Sequence, residues 1–327
     1  MAKIASNTQE ARGYTHCQHT DNKTVQNRGE CSRIAPDNRQ AWKQSGPKGK
    51  TMRNILAPIE LHSSIESTMA TAVILAKKFS GTIEGLALGP DLPDLVAFDM
   101  PVSWAVTDQN TWKELAEEAH QKFDAFMAGQ SMPAAAPGTS GPSQLFLSDK
   151  SFGDSQVASY GRIFDVAVLG RPGGERGDPR MATAEALIFE SGRPILLAPP
   201  QAPADFGDSI VISWNRSTET ARSVALAMPL LQRAKKVSVL TVENFMVDGP
   251  TGEDCAAKLS AHGIPAEAVT RPAKGSPGED VLDYCTEYGA DLLVKGAFTQ
   301  SRLRQMIFGG PTAHIMSNAQ LPVFMAN

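Results

Sequence analysis

Three glycines near the end of the chain are spaced as in a site that could receive a phosphate group. Gly296 ends an apolar, strand-like run, and Gly309 and Gly310 stand directly before a helical pattern. Glycine lets the backbone approach a ligand with no Cβ atom in the way, and a helix N-terminus offers N–H groups and a positive dipole end to an anion. This stretch therefore predicts an anion-binding loop, to which Arg302 and Arg304 add positive charge.

Two residues at the ends of other strand-like runs belong to the same predicted site. Asn215 follows the run at 209–213, and Val242 ends the run at 236–242. Ligands of open α/β sheets bind at the carboxyl ends of strands, where the strand order reverses. Because Asn215 can both donate and accept hydrogen bonds, we expect it to contact a ligand there.

The elements that must position these residues alternate along the chain. From residue 53 onward, short apolar runs with strand character alternate with amphipathic helical patterns. Nearly continuous apolar strands are typical of a parallel sheet that is buried on both faces. The pattern therefore predicts a doubly wound α/β fold with helices on both sides of the sheet.

The alternation runs through the chain twice. Three pairs of residues match in the closing segments of the two halves: Asp165 with Asp291, Gly170 with Gly296, and Pro194 with Pro322. The repeat is far longer than the ~20–50 residues of a solenoid unit, so it indicates a domain duplication. We expect one domain at 53–199, a connector at 200–208 and a second domain at 209–327.

Composition and charge exclude several classes of protein. The chain has 327 residues, of which 42% are hydrophobic and 20% charged, as in a soluble globular protein. A net charge of -4 and a pI near 5.9 argue against a dedicated nucleic-acid binder. No uninterrupted apolar run approaches the ~20 residues that span a bilayer. We expect partners to include neither nucleic acid nor membrane.

The beginning of the chain has a different composition from the rest. It is rich in Asn, Gln, Thr, Arg and Gly and nearly lacks Val, Leu and Phe. Such a segment buries too little apolar surface to offset its ordering entropy, so residues 1–52 are predicted to be a disordered polar leader. Met52 stands directly before the first strand, which raises the hypothesis that translation begins there.

The four cysteines, Cys17, Cys31, Cys255 and Cys285, have no disulfide-framework spacing. A reduced, cytoplasmic setting is the simplest interpretation. His16 and His19 could join Cys17 and Cys31 in a zinc site, but the spacing fits no common zinc pattern. We expect a polar tail and no metal site.

The duplicated pattern resembles a tandem universal stress protein, with two universal stress domains in one chain. The resemblance extends over residues 53–327 and is strongest at 211–231 and 290–315. It implies two doubly wound, Rossmann-like domains of the adenine nucleotide alpha hydrolase type, each with a mostly parallel five-stranded sheet. It also implies that the two halves pair through their last strands, with 194–198 beside 322–325.

The resemblance further implies a site for ATP or another adenine nucleotide in the second half. The family motif has Gly, two residues, Gly, nine residues, Gly, and then Ser or Thr. The residues in these places are Gly296, Thr299, Gly309 and Gly310. Thr299 is β-branched and poorly suited to positive φ, and Gly310 lacks a hydroxyl that could bond a phosphate oxygen. By the same resemblance, Asn215 faces the adenine and ribose, and Val242 lies beside the adenine.

The first half departs further from this motif. A glycine-rich loop begins at Gly170, but no Gly-Ser or Gly-Thr pair follows at the expected distance. We expect ordinary turn chemistry there and no nucleotide. Glu60 and His62 could form an acid–base pair, but no nucleophile or metal partner has a defined spacing from them, so a polar strand end is favoured.

Three functions from different classes remain open. The first is a stress-response or regulatory module that binds an adenine nucleotide, performs no fast chemistry, has no catalytic residue and forms homo-oligomers. The second is an interaction protein that has lost nucleotide binding and acts through its paired domain surfaces. The third is a weak ATP hydrolase, which is least favoured because no general base or Mg²⁺-binding carboxylate is evident near the loop.

Overall fold

A computed structural model describes most of the chain beyond its first fifty residues. It covers residues 51–89, 109–137, 139–173, 178–298 and 310–327, without the side chains at 109–112 and 148–151. The predicted leader up to Lys50 lies outside the described residues, and the candidate zinc ligands lie within that leader. Met52, which we assign to the end of the leader, is instead buried in the core.

The described part of the first half consists of five strands and four helices. They are β1 (Asn54–Ile59), α1 (Ile65–Phe79), β2 (Thr82–Leu88), α2 (Gln109–Gly129), β3 (Ser143–Phe152), α3 (Asp154–Gly161), β4 (Val166–Gly170), α4 (Met181–Glu190) and β5 (Ile195–Ala198). This is the alternation that the apolar and amphipathic runs of the sequence predict.

The second half repeats the same series of elements. They are β6 (Ser209–Ser213), α5 (Thr218–Leu231), β7 (Lys236–Val242), α6 (Gly252–Ala261), β8 (Ala266–Arg271), α7 (Pro277–Tyr288), β9 (Leu292–Gly296), α8 (Pro311–Asn318) and β10 (Val323–Ala326). Ser217, Thr251 and Ser276 start α5, α6 and α7, each accepting a hydrogen bond from an N–H of the first turn. Among the residues that the structure covers, no helix is long and apolar enough to cross a membrane.

The ten strands form one sheet in the order β3-β2-β1-β4-β5-β10-β9-β6-β7-β8. Strands within each half pair in parallel, whereas β5 and β10 pair antiparallel, with Leu196 opposite Phe324. Each half thus has the same internal strand order. Because the halves meet antiparallel, the carboxyl ends of their strands point in opposite directions.

This continuous ten-stranded sheet differs from the expected layout of two domains that each have a five-stranded sheet. The reason lies in β5 and β10, which are buried at all four of their positions. Two buried strands that lie side by side satisfy their backbone N–H and C=O groups by pairing with each other. The predicted adjacency of the last strands is present, and it merges the two sheets into one.

Two hydrophobic clusters cover the two faces of the sheet. Helices α1, α2, α5 and α6 pack into one cluster, and α3, α4, α7 and α8 pack into the other. Neighbouring strand residues point to opposite faces, as Leu292 and Leu293 of β9 show by belonging to different clusters. Burial on both faces explains why the strand sequences are apolar throughout.

The matched aspartates of the repeat hold the beginnings of strands. The Asp165 carboxylate accepts backbone hydrogen bonds from Arg53 and Asn54 at 2.9 Å, at the start of β1. The Asp291 carboxylate accepts bonds of 2.8–3.1 Å from the N–H groups of residues 207–209, at the start of β6. Both aspartates therefore lie at the strand ends opposite the predicted site, where they align a strand with its neighbour.

Candidate functional site

A cavity of about 630 Å³ opens at the carboxyl ends of β6, β7 and β9. Four of the six predicted ligand contacts lie on its wall: Asn215, Val242, Gly296 and Gly310. Thr299 and Gly309 lie outside the described residues, as do Arg302 and Arg304. The structure therefore brings together every predicted site residue that it describes.

The chemical character of the cavity wall favours a ligand with negative charge. The described wall residues include no Asp or Glu, and Lys295 and His314 are the titratable side chains among them. Ser, Thr and Asn side chains and apolar groups make up most of the remainder. A cavity of ~300–1,000 Å³ with mixed apolar and polar walls is typical of small-molecule sites.

Asn215 organises the turn between β6 and α5. Its Oδ1 atom accepts hydrogen bonds from Thr220 Oγ1 at 2.6 Å and from the Ser217 N–H at 3.2 Å. Its backbone oxygen accepts a bond of 3.1 Å from the N–H of Val247, which also lies on the cavity wall. Since Oδ1 already accepts two bonds, a contact from this side chain to a ligand would be made through its amide nitrogen.

Gly296 is fixed by close packing against the start of α5. A Cβ atom at this position would lie 2.5 Å from the Thr220 N atom and 2.7 Å from Thr220 Oγ1. The sequence predicts a glycine here for the approach of a phosphate, but the structure supplies a packing reason. Gly170 is matched to Gly296 in the repeat, and a Cβ atom there would lie 2.6 Å from Pro179 Cγ.

Gly310 is the N-cap residue of α8, with φ of -62° and ψ of 177°, a conformation open to any residue. Pro311 follows at the first helical position, as its sequence position predicts. The first helical bond joins the His314 N–H to the Gly310 oxygen at 3.2 Å. No described side chain caps this helix, so the cavity borders a helix N-terminus whose first amides are suited to an anion.

Lys295 is the site residue that the sequence prediction misses. It lies on β9 next to Gly296, and its side chain is only 6% exposed. Its Nζ atom donates hydrogen bonds to the Gly296 oxygen at 2.7 Å and to Thr312 Oγ1 at 3.0 Å. Burial lowers the pKa of this amine from 10.5 to about 7.

Thr312 joins Lys295 to the strand-to-helix connection. Its Oγ1 atom also accepts a hydrogen bond of 3.2 Å from the N–H of Phe298, the last described residue before the loop. Phe298 has a φ of 55°, and its ring lies 5.0 Å from that of Phe189 in the first half. Thr312 therefore fixes the start of α8 relative to the end of β9.

Apolar side chains form a further part of the wall. Val242 ends β7 as predicted and is 9% exposed, and Val281 and Ile315 also line the cavity. Trp214 is buried in the core cluster beneath α5 and α6, and its indole N–H donates to the Pro250 oxygen at 3.0 Å. The cavity wall thus combines apolar side chains with the polar groups around Lys295.

In the first half, charged side chains stand at the places that correspond to Asn215 and Gly310. Glu60 follows β1 as Asn215 follows β6, and Arg180 caps α4 as Gly310 caps α8. Arg180 Nε lies 2.9 Å from Glu60 Oε1, and the Arg180 N–H donates to Glu60 Oε2 at 3.1 Å. Arg180 Nη2 also lies 3.5 Å from Asp154 Oδ1.

His62 lies in the same part of the first half, and its imidazole is neutral. Its Nδ1 atom accepts a hydrogen bond of 3.1 Å from the Ser64 N–H, and burial lowers its pKa to about 4. Glu60 pairs with Arg180. Among the described residues, no group of three or more His, Cys, Asp or Glu side chains is arranged to hold a metal ion.

Comparison with known proteins shows the family of the second half of the chain, which carries the cavity. Residues 210–327 match the model of the universal stress protein family. This segment is a universal stress protein domain. The match does not extend to the first half, so the resemblance of that half to the family remains a prediction. No curated protein sequence matches the chain significantly.

One solved structure of a universal stress protein shares the fold over most of the chain. A universal stress protein from Archaeoglobus fulgidus is 15% identical, with a TM-score of 0.62, over 85% of this chain and 97% of its own. A protein from Pseudomonas aeruginosa described as a universal stress protein is 14% identical, covers 84% of this chain and 93% of its own, and has a TM-score of 0.44. At these identities the likeness concerns the fold alone.

Proposed function

We propose that the universal stress domain at residues 209–327 binds ATP or another adenine nucleotide in its cavity and acts as a regulatory module. The observation that carries this proposal is the composition of the cavity wall. The wall combines apolar side chains, Val242 among them, with a buried lysine and a helix N-terminus, and no described wall residue is acidic. Such a wall suits a ligand with one flat apolar part and one anionic part.

The two parts of a nucleotide would meet different residues of the chain. The adenine would lie against the apolar groups near Val242, with Asn215 offering hydrogen bonds to the base or ribose. The phosphates would lie near Gly310 and the first amides of α8, where the helix dipole favours negative charge. The described wall offers neither a general base nor a carboxylate for Mg²⁺, so we propose binding without fast hydrolysis.

A thermal-shift measurement with ATP, AMP and adenosine tests the proposal. A ligand at ~100 times its dissociation constant should add ~2.7 kcal/mol to the free energy of unfolding. Gly310→Val should abolish this stabilisation, because an isopropyl group would stand at the α8 N-cap on the cavity wall. The backbone at Gly310 accepts valine without strain, so the fold should survive with a cost near ~1 kcal/mol.

Gly153→Val is the matched control for this substitution. Gly153 is the N-cap residue of α3 in the first half, with φ of -76° and open space around its Cβ position. The control should lose a similar amount of stability and keep the response to nucleotide. If no adenine nucleotide stabilises the unsubstituted protein, the proposal is wrong.

We propose in addition that the first half, residues 53–199, is a second universal stress domain that has no nucleotide site and serves as an interaction surface. The Glu60–Arg180 pair supports this reading, because it places a carboxylate and its own counter-charge where the second half has Asn215 and Gly310. Photolabelling of the full chain with an azido derivative of ATP, followed by peptide mapping, should find label only in peptides after residue 208. Specific, ATP-competed label in the first half would contradict this division.

A further inference from the structure

Lys295 has no charged partner among the residues that the structure describes. Its amine donates to two neutral oxygens, the Gly296 carbonyl and Thr312 Oγ1. The neighbouring strands place Ser213 and Met325 beside it, and neither carries a charge. A buried charge without a counter-charge is costly, so this position favours the neutral amine until an anion arrives.

The charged and titratable residues on the surrounding elements do not compensate this amine. They are His314 on α8, Glu279, Asp280, Asp283, Tyr284, Cys285, Glu287 and Tyr288 on α7, Glu219 and Arg222 on α5, Arg216 before α5 and Glu243 after β7. Burial lowers the pKa of Lys295. The sequence of the segment 299–309 adds two arginines and no acidic residue.

The two hydrogen bonds that the Lys295 amine already donates leave it able to take one new partner. A neutral amine has two N–H groups and one lone pair, and the two N–H groups of Lys295 are used by Gly296 and Thr312. A proton added to the lone pair would create a third N–H group. Both present partners lie on the wall of the cavity, so a ligand there is the partner that this third group could meet.

We propose that Lys295 is the specificity-determining residue for the phosphate part of the ligand, and that phosphate binding loads a proton from solvent onto its amine. The neutral amine becomes an ammonium group, and its third N–H donates to a phosphate oxygen beside the α8 N-terminus. This inference rests on the proposed nucleotide site. It makes ATP binding proton-linked, and it makes the site discriminate nucleotides from the nucleoside.

Isothermal titration calorimetry of the full chain with ATP, without Mg²⁺, provides the test. At pH 8 the terminal phosphate of ATP is already ionised, since its pKa is near ~6, so proton uptake then comes from the protein. Titrations in Tris and in HEPES, which differ in heat of ionisation, should report uptake of about one proton per ATP bound. Between pH 7.5 and 9 the affinity should fall by up to about tenfold per pH unit.

The variant Lys295→Met tests the contribution of the amine alone, because it leaves the rest of the site unchanged. It should bind ATP at least about tenfold more weakly and without proton uptake, while its affinity for adenosine stays within about twofold of the unsubstituted protein. ATP binding without proton uptake, and with equal affinity in Lys295→Met, would overturn the inference and leave the proposed function standing. Failure of the unsubstituted protein to bind any adenine nucleotide would overturn both.

Discussion

Arg180 and Glu60 form an ion pair in the first half, with 2.9 Å between Nε and Oε1, at the place where the second half has Gly310 and Asn215. The first half therefore satisfies its strand-end carboxylate internally. The second half has a neutral amide and a glycine there, and a cavity remains between them. The same fold thus has an ion pair at this place in one half and neutral groups on a cavity wall in the other.

A double-mutant cycle should show that Arg180 and Glu60 stabilise the first half as a pair. Their side chains are 11% and 20% exposed, and breaking a largely buried pair leaves one charge uncompensated. Glu60→Gln and Arg180→Met should each lower the free energy of unfolding by ~1–3 kcal/mol, and the double variant should lose less than their sum. Urea unfolding measures all four proteins, and strictly additive losses would contradict the pairing.

Gly296→Ala should destabilise the protein by ~2 kcal/mol or more, because the added Cβ atom would meet the backbone of Thr220 at 2.5 Å. Backbone cannot yield as a flexible side chain can, so α5 would have to shift away from β9. Gly129→Ala is the control, since its Cβ position at the end of α2 is open. Thermal unfolding compares the two, and an equal melting temperature for both variants would contradict the packing argument.

Lys295→Met should stabilise the protein without ligand, and more at pH 7 than at pH 9. The pKa of Lys295 is about 7 in the folded chain and near 10.5 when unfolded. Between these values the unfolded chain binds more protons, so stability rises with pH, and the cost of Lys295 fades as the pH approaches 10.5. The gain from Lys295→Met should therefore fall with pH by up to ~1.4 kcal/mol per unit.

Chemical denaturation at pH 7 and pH 9 measures that difference. The exposed Lys113 supplies the control, and Lys113→Met should give a change in stability of similar size at both pH values. A gain from Lys295→Met that is independent of pH would show that the amine is not desolvated in the folded state.

The thiols of Cys255 and Cys285 should react slowly with thiol reagents at pH 8. Burial raises the pKa of Cys255 to about 11 and that of Cys285 to about 12, so the thiolate is scarce in both. In a variant with Cys17→Ser and Cys31→Ser, both remaining thiols should react at least about 100-fold more slowly in the native protein than in denaturant. Rapid reaction of the native protein would contradict the burial of these thiols.

Much of the fold can be predicted from the sequence because nearly all residues of the buried strands are apolar. The run at 291–296 contains three apolar residues before Lys295, and the matched run at 165–170 guides the assignment of the other half. Hydropathy alone does not show that β5 and β10 join the two halves into one sheet, and the expectation that these strands are adjacent comes from the family resemblance. Their pairing depends on contacts between residues more than a hundred positions apart.

The candidate site is only partly readable from the sequence. Glycine spacing and strand ends locate Asn215, Val242, Gly296 and Gly310, whereas Lys295 is missed. The signal for it is present, because a lysine inside a strand that is buried on both faces must itself be buried. No comparable sequence signal predicts the ion pair of the first half, since Arg180 and Glu60 are 120 positions apart.

The antiparallel contact between β5 and β10 also determines how the pairing of the two halves responds to dilution. Two separate half-size chains joined by these strands would dissociate as their concentration fell. Here both strands belong to one chain, so each meets the other at an effective concentration set by the connection between the halves. The pairing of the first half with the second half is therefore independent of how much of the protein a cell contains.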